Sequence, residues 1–349
     1  MFTLSAFYES IFSCKVYKLS LDAGCTCPNR DGTKGRGGCI FCSESGSGDF
    51  AANRNLPVKE QVAQAKKRVE SKVRGRSGNR KGKYIAYFQN FTSTYGNAET
   101  LTQKYEAALS CDDVVGLAIA TRVDCLGEEI LAKIANIAET HFVQIELGLQ
   151  TSNEKTGEFI NRCYTNEDYC DAVRRIKQAN PNIHIVTHLI FGLPNESECD
   201  MLESVKFVVR ENSQNSSQRA QSSRRDVDLV KSVVNTNDYK ICENLCESVD
   251  KTLCELQGSV RNFSDFFGIK ITSLYVVRGT KLAELYECGE YTPLQKEEYF
   301  SLLKKALSLL PENCIIHRLT GDPPKKTLLA PAWTGDKKRV MNEIYKLMN

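Results

Sequence analysis

The sequence predicts an α/β protein, built as a partial barrel of six β/α units with a C-terminal αβ extension. Two observations indicate this fold class. Short apolar runs rich in β-branched residues alternate with helix-length segments, which is typical of βαβ units and a parallel sheet. Six such runs can be found, whereas a closed barrel of this kind needs eight strands. We therefore expect an open or partial barrel.

Each predicted strand is bounded by a polar turn or by a helical pattern. The first long helix begins at Pro57, which suits a first turn, and Val58, Val62 and Val69 fall on one of its faces. A later helix ends at Asn180-Pro181. The strands are predicted at residues 15–23, 84–89, 114–121, 142–150, 183–194 and 269–277. The helices between them are predicted at 57–72, 99–109, 128–138, 166–179 and 197–211, and those of the extension at 281–286, 296–309 and 336–348.

Composition sets the broad class of the protein. The chain has 349 residues, of which 41% are hydrophobic and 26% are charged, so it can form a sizeable core. Its net charge of +3 says little about partners. No apolar run approaches the ~18 residues of a membrane span, and Glu9 interrupts the segment where a secretory signal would be apolar. We expect a cytoplasmic protein without membrane contact.

The chain divides into three predicted parts. Residues 1–211 form the barrel core, with a polar, Gly-rich loop at 25–52, and residues 264–349 supply the last barrel strand and the extension. Residues 212–263 are a low-complexity insertion, since its first twelve residues are almost all Ser, Gln or Asn. We expect this insertion to be disordered or weakly helical. Its three cysteines begin like a cluster motif but lack a preceding strand, so we interpret them as incidental: Cys242, Cys246 and Cys254.

The loop after the first strand concentrates cysteines. Cys39 and Cys42 form a C-x2-C pair, Cys27 lies twelve positions earlier, and Cys25 precedes it by two. The 15 cysteines are an odd number in a large chain, which argues against a disulfide scaffold and favours metal binding. Soft thiolates select zinc or an iron–sulfur cluster, and the spacing alone leaves both open. The position of the loop favours an active site, because barrel active sites lie at the carboxyl ends of strands.

Several stretches, in order along nearly the whole chain, resemble the radical S-adenosylmethionine (SAM) superfamily. The resemblance is strongest to its YhcC/YtqA-type branch, which is related to Elp3-like proteins. The stretches are CPNRDGTKGRGGCIFC (27–42), YFQNFTSTYG (87–96), AIATRVDCL (118–126), IELGLQTSNEKT (145–156), HLIFGLPNES (188–197), LYVVRGTK (274–281), HRLTGD (317–322) and APAW (330–333).

The resemblance implies a cofactor pair, a [4Fe–4S] cluster and SAM. It assigns Cys27, Cys39 and Cys42 as the cluster ligands, and three thiolates leave one iron open for SAM. Cys25 lies outside the family motif, and we expect it to be a spare thiol. The family often has Arg-Gly-His where this chain has Arg162-Cys163-Tyr164, so the imidazole of that motif is missing here and Arg162 is left as a candidate.

The resemblance also implies SAM contacts from strand ends. Three of these residues also have a structural alternative. Glu146 could form an ion pair with Arg122, Arg122 could pair with Asp124, and His188 could be a hydrogen-bonded core residue. Phe41 and Gly192 are placed near adenine, Gln89 near the methionine amino group, and Gln150 within reach of either ligand. The implied SAM-binding residues are Phe41, Gln89, Arg122, Glu146, Gln150, His188 and Gly192. No catalytic residue is assigned.

The expected function is reductive cleavage of SAM at the cluster, giving a 5′-deoxyadenosyl radical that abstracts hydrogen from a substrate. The branch suggests tRNA as substrate, with modification of a wobble-uridine side chain, and a flavodoxin or ferredoxin as electron donor. A basic stretch at 66–83 agrees with RNA, although a charge run is more often a solvated surface. The alternatives are a small metabolite or peptide substrate, or a non-catalytic, zinc-stapled RNA-binding protein.

Overall fold

The computed structural model describes residues 2–44, 46, 51–73, 82–213 and 265–348. Residues 214–263, which hold most of the expected insertion and its three cysteines, lie outside the described residues.

One parallel sheet of eight strands forms the centre of the molecule. Its strand order is β1-β9-β7-β6-β5-β4-β3-β2, and a separate antiparallel pair joins β8 to β10. The six predicted strands are present as β2 to β7. The strands are β1 (Phe2–Thr3), β2 (Val16–Leu21), β3 (Lys83–Phe88), β4 (Val114–Arg122), β5 (Phe142–Gln150), β6 (His184–Phe191), β7 (Phe267–Ser273), β8 (Val276–Val277), β9 (Cys314–Arg318) and β10 (Leu328–Ala330).

Helices follow the strands and cover the outer face of the sheet. Two of these helices begin at residue types that favour helix capping. Thr165 and Asp168 form a reciprocal capping box, and Asn97 caps the helix that starts at Ala98. The helices are α1 (Leu4–Phe12), α2 (Val58–Val73), α3 (Ala98–Leu109), α4 (Glu128–Ile137), α5 (Glu154–Phe159), α6 (Asn166–Ala179), α7 (198–213), α8 (Lys281–Glu287), α9 (Lys296–Ser308) and α10 (Lys337–Met348).

The sheet is curled, with a concave inner face. Lys18 on β2 and Lys270 on β7 both form ion pairs with Glu146 on β5, which a flat sheet would not allow. The main apolar core lies between the outer face and the helices and includes fully buried Leu117 and Ile185. The half-barrel predicted from the strand pattern is confirmed.

The sheet is wider than the six strands predicted from sequence. The segment counted as part of the extension supplies β9, which pairs in parallel with β7, and the first residues of the chain add β1 beside β9. These strands have five and two residues, which is too short for a periodic pattern to show. Helix α1 contacts both β9 and β2 and inserts Phe7 and Tyr8 into the opening between them.

The C-terminal extension packs against the cysteine loop. The amide of Leu282, at the start of α8, donates to the carbonyl of Ile40 at 2.9 Å. The Tyr291 hydroxyl donates to the carbonyl of Gly192 at 2.7 Å. These contacts place the extension beside the carboxyl ends of the strands. Within the described residues, no helix combines the length and apolar character needed to cross a membrane.

Candidate active site

A cavity of about 220 Å³ opens at the carboxyl ends of the strands. This is where a parallel α/β sheet presents its loops and where barrel active sites lie. All three cysteines of the predicted cluster line it. Six of the seven predicted SAM contacts line it as well: Phe41, Gln89, Arg122, Glu146, Gln150 and His188.

The cysteine loop is held in shape by its own backbone and by Arg30. The amide of Arg30 donates to the carbonyl of Cys27, and the amide of Cys42 donates to that of Cys39. The Arg30 guanidinium then reaches the carbonyls of Cys42 and Ser43, at 3.1 Å and 2.5 Å. Arg30 therefore links the two ends of the motif, which brings cysteines far apart in sequence to one cavity.

Asn29 anchors the middle of the loop. It is fully buried, and its amide group lies 3.8 Å from the Cys39 sulfur and donates to the carbonyl of Asn161. Asn161 in turn donates to the carbonyl of Gly38 at 2.8 Å. A Cβ at Gly35 would lie 2.2 Å from the Asn29 side-chain oxygen, so only glycine fits there.

The donor set fits an iron–sulfur cluster. The thiols of Cys39 and Cys42 hydrogen-bond to each other, and the Cys27 sulfur is close enough to Cys42 to interact with it electrostatically. Among the described residues, no three His, Cys, Asp or Glu side chains are placed to hold a single metal ion. A [4Fe–4S] cluster does not need three side chains around one metal ion, because each cysteine binds a different iron.

A side pocket beside Phe41 has the character of a nucleobase site. It is lined by Phe41, Ile190 and Leu274, together with His188 from β6. The buried hydroxyl of Ser273 lines the same pocket and has no hydrogen-bond partner among the residues that the structure describes. Since buried polar groups are almost always paired, this hydroxyl is available to a ligand. The apolar walls and the unpaired hydroxyl together fit the adenine of SAM.

Arg122 lies at the end of β4 and is paired in the structure with Asp124. Two parallel hydrogen bonds of 2.9 Å join them, and the guanidinium also donates to the carbonyl of Arg162 at 3.0 Å. Burial would raise the pKa of Asp124, but the hydrogen bonds from Arg122 and Lys34 outweigh it and lower that pKa. The mutual ion pair left open by the sequence is thus present, and Arg122 still lines the cavity.

Glu146 lies on the inner face of β5, where it forms an ion pair with lysines. Lys18 lies 2.7 Å from one carboxylate oxygen, and Lys270 lies 3.4 Å from the other. Gln144 and Tyr87 also donate to this carboxylate. Burial opposes ionisation, but the two lysines hold the pKa of Glu146 well below its usual range. The ion-pair partner considered from sequence was Arg122, and the structure pairs Glu146 with Lys18 and Lys270 instead.

The remaining predicted SAM contacts are Gln89, Gln150 and Gly192. The side-chain oxygen of Gln89 accepts from Ser20 at 3.1 Å, and that of Gln150 accepts from Tyr164 at 2.7 Å. Gly192 is not among the residues that line either pocket, because it packs against Leu294. The SAM-binding roles of these residues remain predictions.

Two further candidates are accounted for by structural contacts. Arg162 has no exposed surface, and its guanidinium donates to the carbonyls of Leu149, Thr151 and Tyr164. Cys25 is buried and lines an outer groove rather than the cavity of the three cluster cysteines. Its carbonyl accepts from Arg54 at 2.6 Å.

Sequence reasoning missed several residues of this cavity. Lys270 and Arg318 line it from β7 and β9, beside Tyr275 and Tyr164. Lys270 carried the same signal as Glu146, a charge inside an apolar strand, in the run IKITS (269–273). Arg318 carried no such signal, because β9 itself was not recognised.

Comparison with known proteins gives two family matches. Residues 31–208 match the model of the radical SAM superfamily, and residues 267–349 match that of the Radical_SAM C-terminal domain. The first match covers about half of the chain and includes two cluster cysteines, Cys39 and Cys42.

Individual relatives agree with the family matches. The chain is 34% identical to the uncharacterized protein YtqA of Bacillus subtilis, over 99% of this chain and 88% of that one. It is 25% identical to a tRNA uridine(34) acetyltransferase of Methanocaldococcus jannaschii, over 67% of this chain and 32% of that one. A solved structure of Methanocaldococcus infernus Elp3 superposes with a TM-score of 0.57 at 16% identity, covering 95% of this chain and 63% of that one.

Proposed function

The chain belongs to the radical SAM superfamily, and we propose that it cleaves SAM reductively to abstract hydrogen from a nucleoside of tRNA. The enzyme class follows from the family, whose members use a [4Fe–4S] cluster and SAM. Family membership favours an enzyme over the zinc-stapled, non-catalytic alternative. The observation that carries the proposal is the convergence of Cys27, Cys39 and Cys42 on one cavity.

Each part of the cofactor pair has residues that suit it. Cys27, Cys39 and Cys42 would hold the cluster, and the pocket beside Phe41 would take the adenine. When bound, the pair supplies a one-electron cleavage of a carbon–sulfur bond and a 5′-deoxyadenosyl radical. The chain binds, orients and shields that chemistry.

The chain's own residues do three things at this site. Arg30 and Asn29 hold the cysteine loop, so that the thiolates are aimed inward before any ligand arrives. Arg122 presents a positive charge at the cavity wall while Asp124 fixes its orientation. Phe7 and Tyr8 of α1 close the amino-terminal end of the barrel, which excludes water from below.

Support for tRNA comes from one relative and from the surface. The acetyltransferase of Methanocaldococcus jannaschii is named for uridine 34 of tRNA. The C-terminal extension also carries exposed basic residues, since Lys281 precedes the contact of Leu282 with the cysteine loop, and the backbone amide of Arg278 donates to Thr327, just after Lys325 and Lys326. Clustered cations of this kind suit phosphates. Residues 74–81, in the middle of the basic stretch at 66–83, lie outside the described residues.

The experiment is an assay for 5′-deoxyadenosine. Anaerobically reconstituted protein, given dithionite and SAM, should contain iron and release 5′-deoxyadenosine. Cys39→Ala should abolish the release, whereas Cys288→Ala, at an exposed thiol after α8, should retain it. Equal release from both variants would contradict the cluster assignment.

A second experiment addresses the substrate. Nucleosides from total tRNA of a strain lacking the gene should show one modified uridine lost or replaced by its precursor. An unchanged nucleoside profile would argue for the alternative, a small metabolite or a peptide, while leaving SAM cleavage intact.

A further inference from the structure

A row of nitrogen-bearing side chains crosses the inner face of three adjacent strands. His188 on β6 is paired in register with Lys270 on β7, and Lys270 is paired in register with Arg318 on β9. All three line the cavity, on strands that are separated from β2 in the sheet by β3, β4 and β5. Residues in register on neighbouring strands lie side by side, so this row forms one continuous surface.

Positive charge exceeds negative charge around this row. Lys18 and Lys270 share the carboxylate of Glu146. Arg318 and Lys337 share the carboxylate of Asp322, at the cavity rim. In the part of the chain that the structure describes, four cations therefore share two carboxylates. His188 adds no charge, because burial and then Lys270 depress its pKa well below the usual range.

The hydrogen-bond donors of the row are also incompletely used. Lys270 has three N–H groups and, among the described residues, one carboxylate neighbour, at 3.4 Å. Arg318 has five N–H groups, and within the described part of the chain its Nη2 lies 3.2 Å from an Asp322 oxygen without the alignment of a hydrogen bond. The Lys270 and Arg318 side chains are only 14% and 31% exposed, so donors there that lack an acceptor are costly unless a ligand or water pairs with them. Both side chains face the cavity, where an acidic ligand would supply the missing acceptors.

We propose that Lys270 and Arg318 bind an acidic group of the substrate, a carboxylate or a phosphate, inside the barrel. This inference rests on the proposed function, in which SAM occupies the same cavity on the side of the cysteines. The guanidinium of Arg318 suits two acidic oxygens, and Lys270 adds a point charge. The substrate class is thereby narrowed to molecules whose reacting part lies close to an acidic group.

The test measures thermal stabilisation of the reconstituted protein by small anions at constant ionic strength. Sodium acetate and inorganic phosphate replace sodium chloride, and the anion dependence of Tm gives an apparent Kd. Wild type should be stabilised by at least one of the two anions. Acetate alone would identify a carboxylate site and phosphate alone a phosphate site.

Variants locate the effect. Lys270→Gln and Arg318→Gln should each weaken the apparent Kd about tenfold, as expected for one charged hydrogen bond. Lys270→Arg should retain the stabilisation, which separates lost charge from disturbed packing. Lys133→Gln, at an exposed ion pair with Glu99 on the outer surface, is the matched control and should behave as wild type.

Three results would overturn the proposal. The first is that acetate and phosphate stabilise wild type no more than chloride does. The second is that both glutamine variants keep the stabilisation by anions. The third is that saturating SAM abolishes this stabilisation, since the row would then bind SAM itself. Its failure is distinguishable from that of the proposed function. Cys39→Ala should lose 5′-deoxyadenosine release while keeping anion stabilisation, whereas a wild type that cleaves SAM without anion stabilisation refutes the anion site alone.

Discussion

Glu146 is the residue on which the inner charge network depends. Its carboxylate accepts from Lys18, Gln144 and Tyr87 and lies beside Lys270, at 5% exposure. Buried ion pairs gain little over apolar packing, but removing one partner leaves the other charge uncompensated. Burial lowers the pKa of Lys270, and the Glu146 carboxylate opposes that shift.

This role gives a stability prediction. Glu146→Gln keeps the shape of the side chain but leaves Lys18 and Lys270 without their carboxylate partner. It should therefore lower the free energy of unfolding by about 3 kcal/mol. Glu99→Gln, at an exposed pair with Lys133, should change it by less than about 1 kcal/mol. Urea denaturation measures both, and equal effects would show that the Glu146 network contributes no more than a surface pair.

Glu196 is a partly buried carboxyl that does not line the cavity. Burial raises its pKa to about 7, with Asp200 adding to the effect and a hydrogen bond from Thr151 opposing it. Because the folded state holds this proton more tightly than the unfolded state, stability should fall as pH rises from about 4.3 to about 7.

The prediction is that Glu196→Gln removes this slope. The variant should match wild type near pH 4 and be more stable at pH 8, by at most about 3 kcal/mol. Glu198→Gln, at an exposed pair with Lys305, should leave the slope unchanged. Tm measured across this pH range decides the matter, and an unaltered slope in Glu196→Gln would assign the titration to another group.

At the scale of elements, the close packing of the cysteine loop limits which residues its glycine positions can hold. Gly35 faces the buried Asn29 side chain, and Gly38 has φ of +77° with Arg30 packed against it. Neither neighbour can move away easily, because Asn29 is fully buried and Arg30 holds the carbonyls of Cys42 and Ser43. The glycines thus allow the loop to fold tightly enough to gather its thiols.

Gly35→Ala should spread the loop. We expect about 1–3 kcal/mol of destabilisation from overpacking, together with less iron per chain after reconstitution. Gly127→Ala is the control, because nothing lies within 4 Å of the position that an added Cβ would take there and its φ is −60°. Iron analysis and Tm give the answer, and full iron loading of Gly35→Ala would show that the close packing around Asn29 is dispensable.

At the scale of the whole molecule, the sequence predicted β2 to β7 because each has six or more residues with an apolar pattern. It did not predict β1, β9 or α1. These elements gain their stability from long-range contacts, as when Phe2 of β1 pairs with Ile315 of β9 and the Phe7 ring packs 4.8 Å from the His184 ring. Local pattern carries no information about such long-range contacts.

The same limit applied to the site. The cysteines and Glu146 could be found because a motif or an isolated charge marks them. The pairing of Glu146 with Lys18 and Lys270, and the row that includes Arg318, depend on how far the sheet curls and on the register of β9. Sheet curvature and register arise from tertiary packing, so these partners were visible only in the structure.

The central claim is that Cys27, Cys39 and Cys42 hold a four-iron cluster with one iron left for SAM. Mössbauer spectroscopy of protein reconstituted with ⁵⁷Fe tests it most directly. The spectrum should show a four-iron cluster in which the signal of one iron shifts when SAM is added and the other three are unchanged. A spectrum that SAM leaves unaltered, or loading that survives in Cys27→Ala, Cys39→Ala and Cys42→Ala alike, would contradict the account.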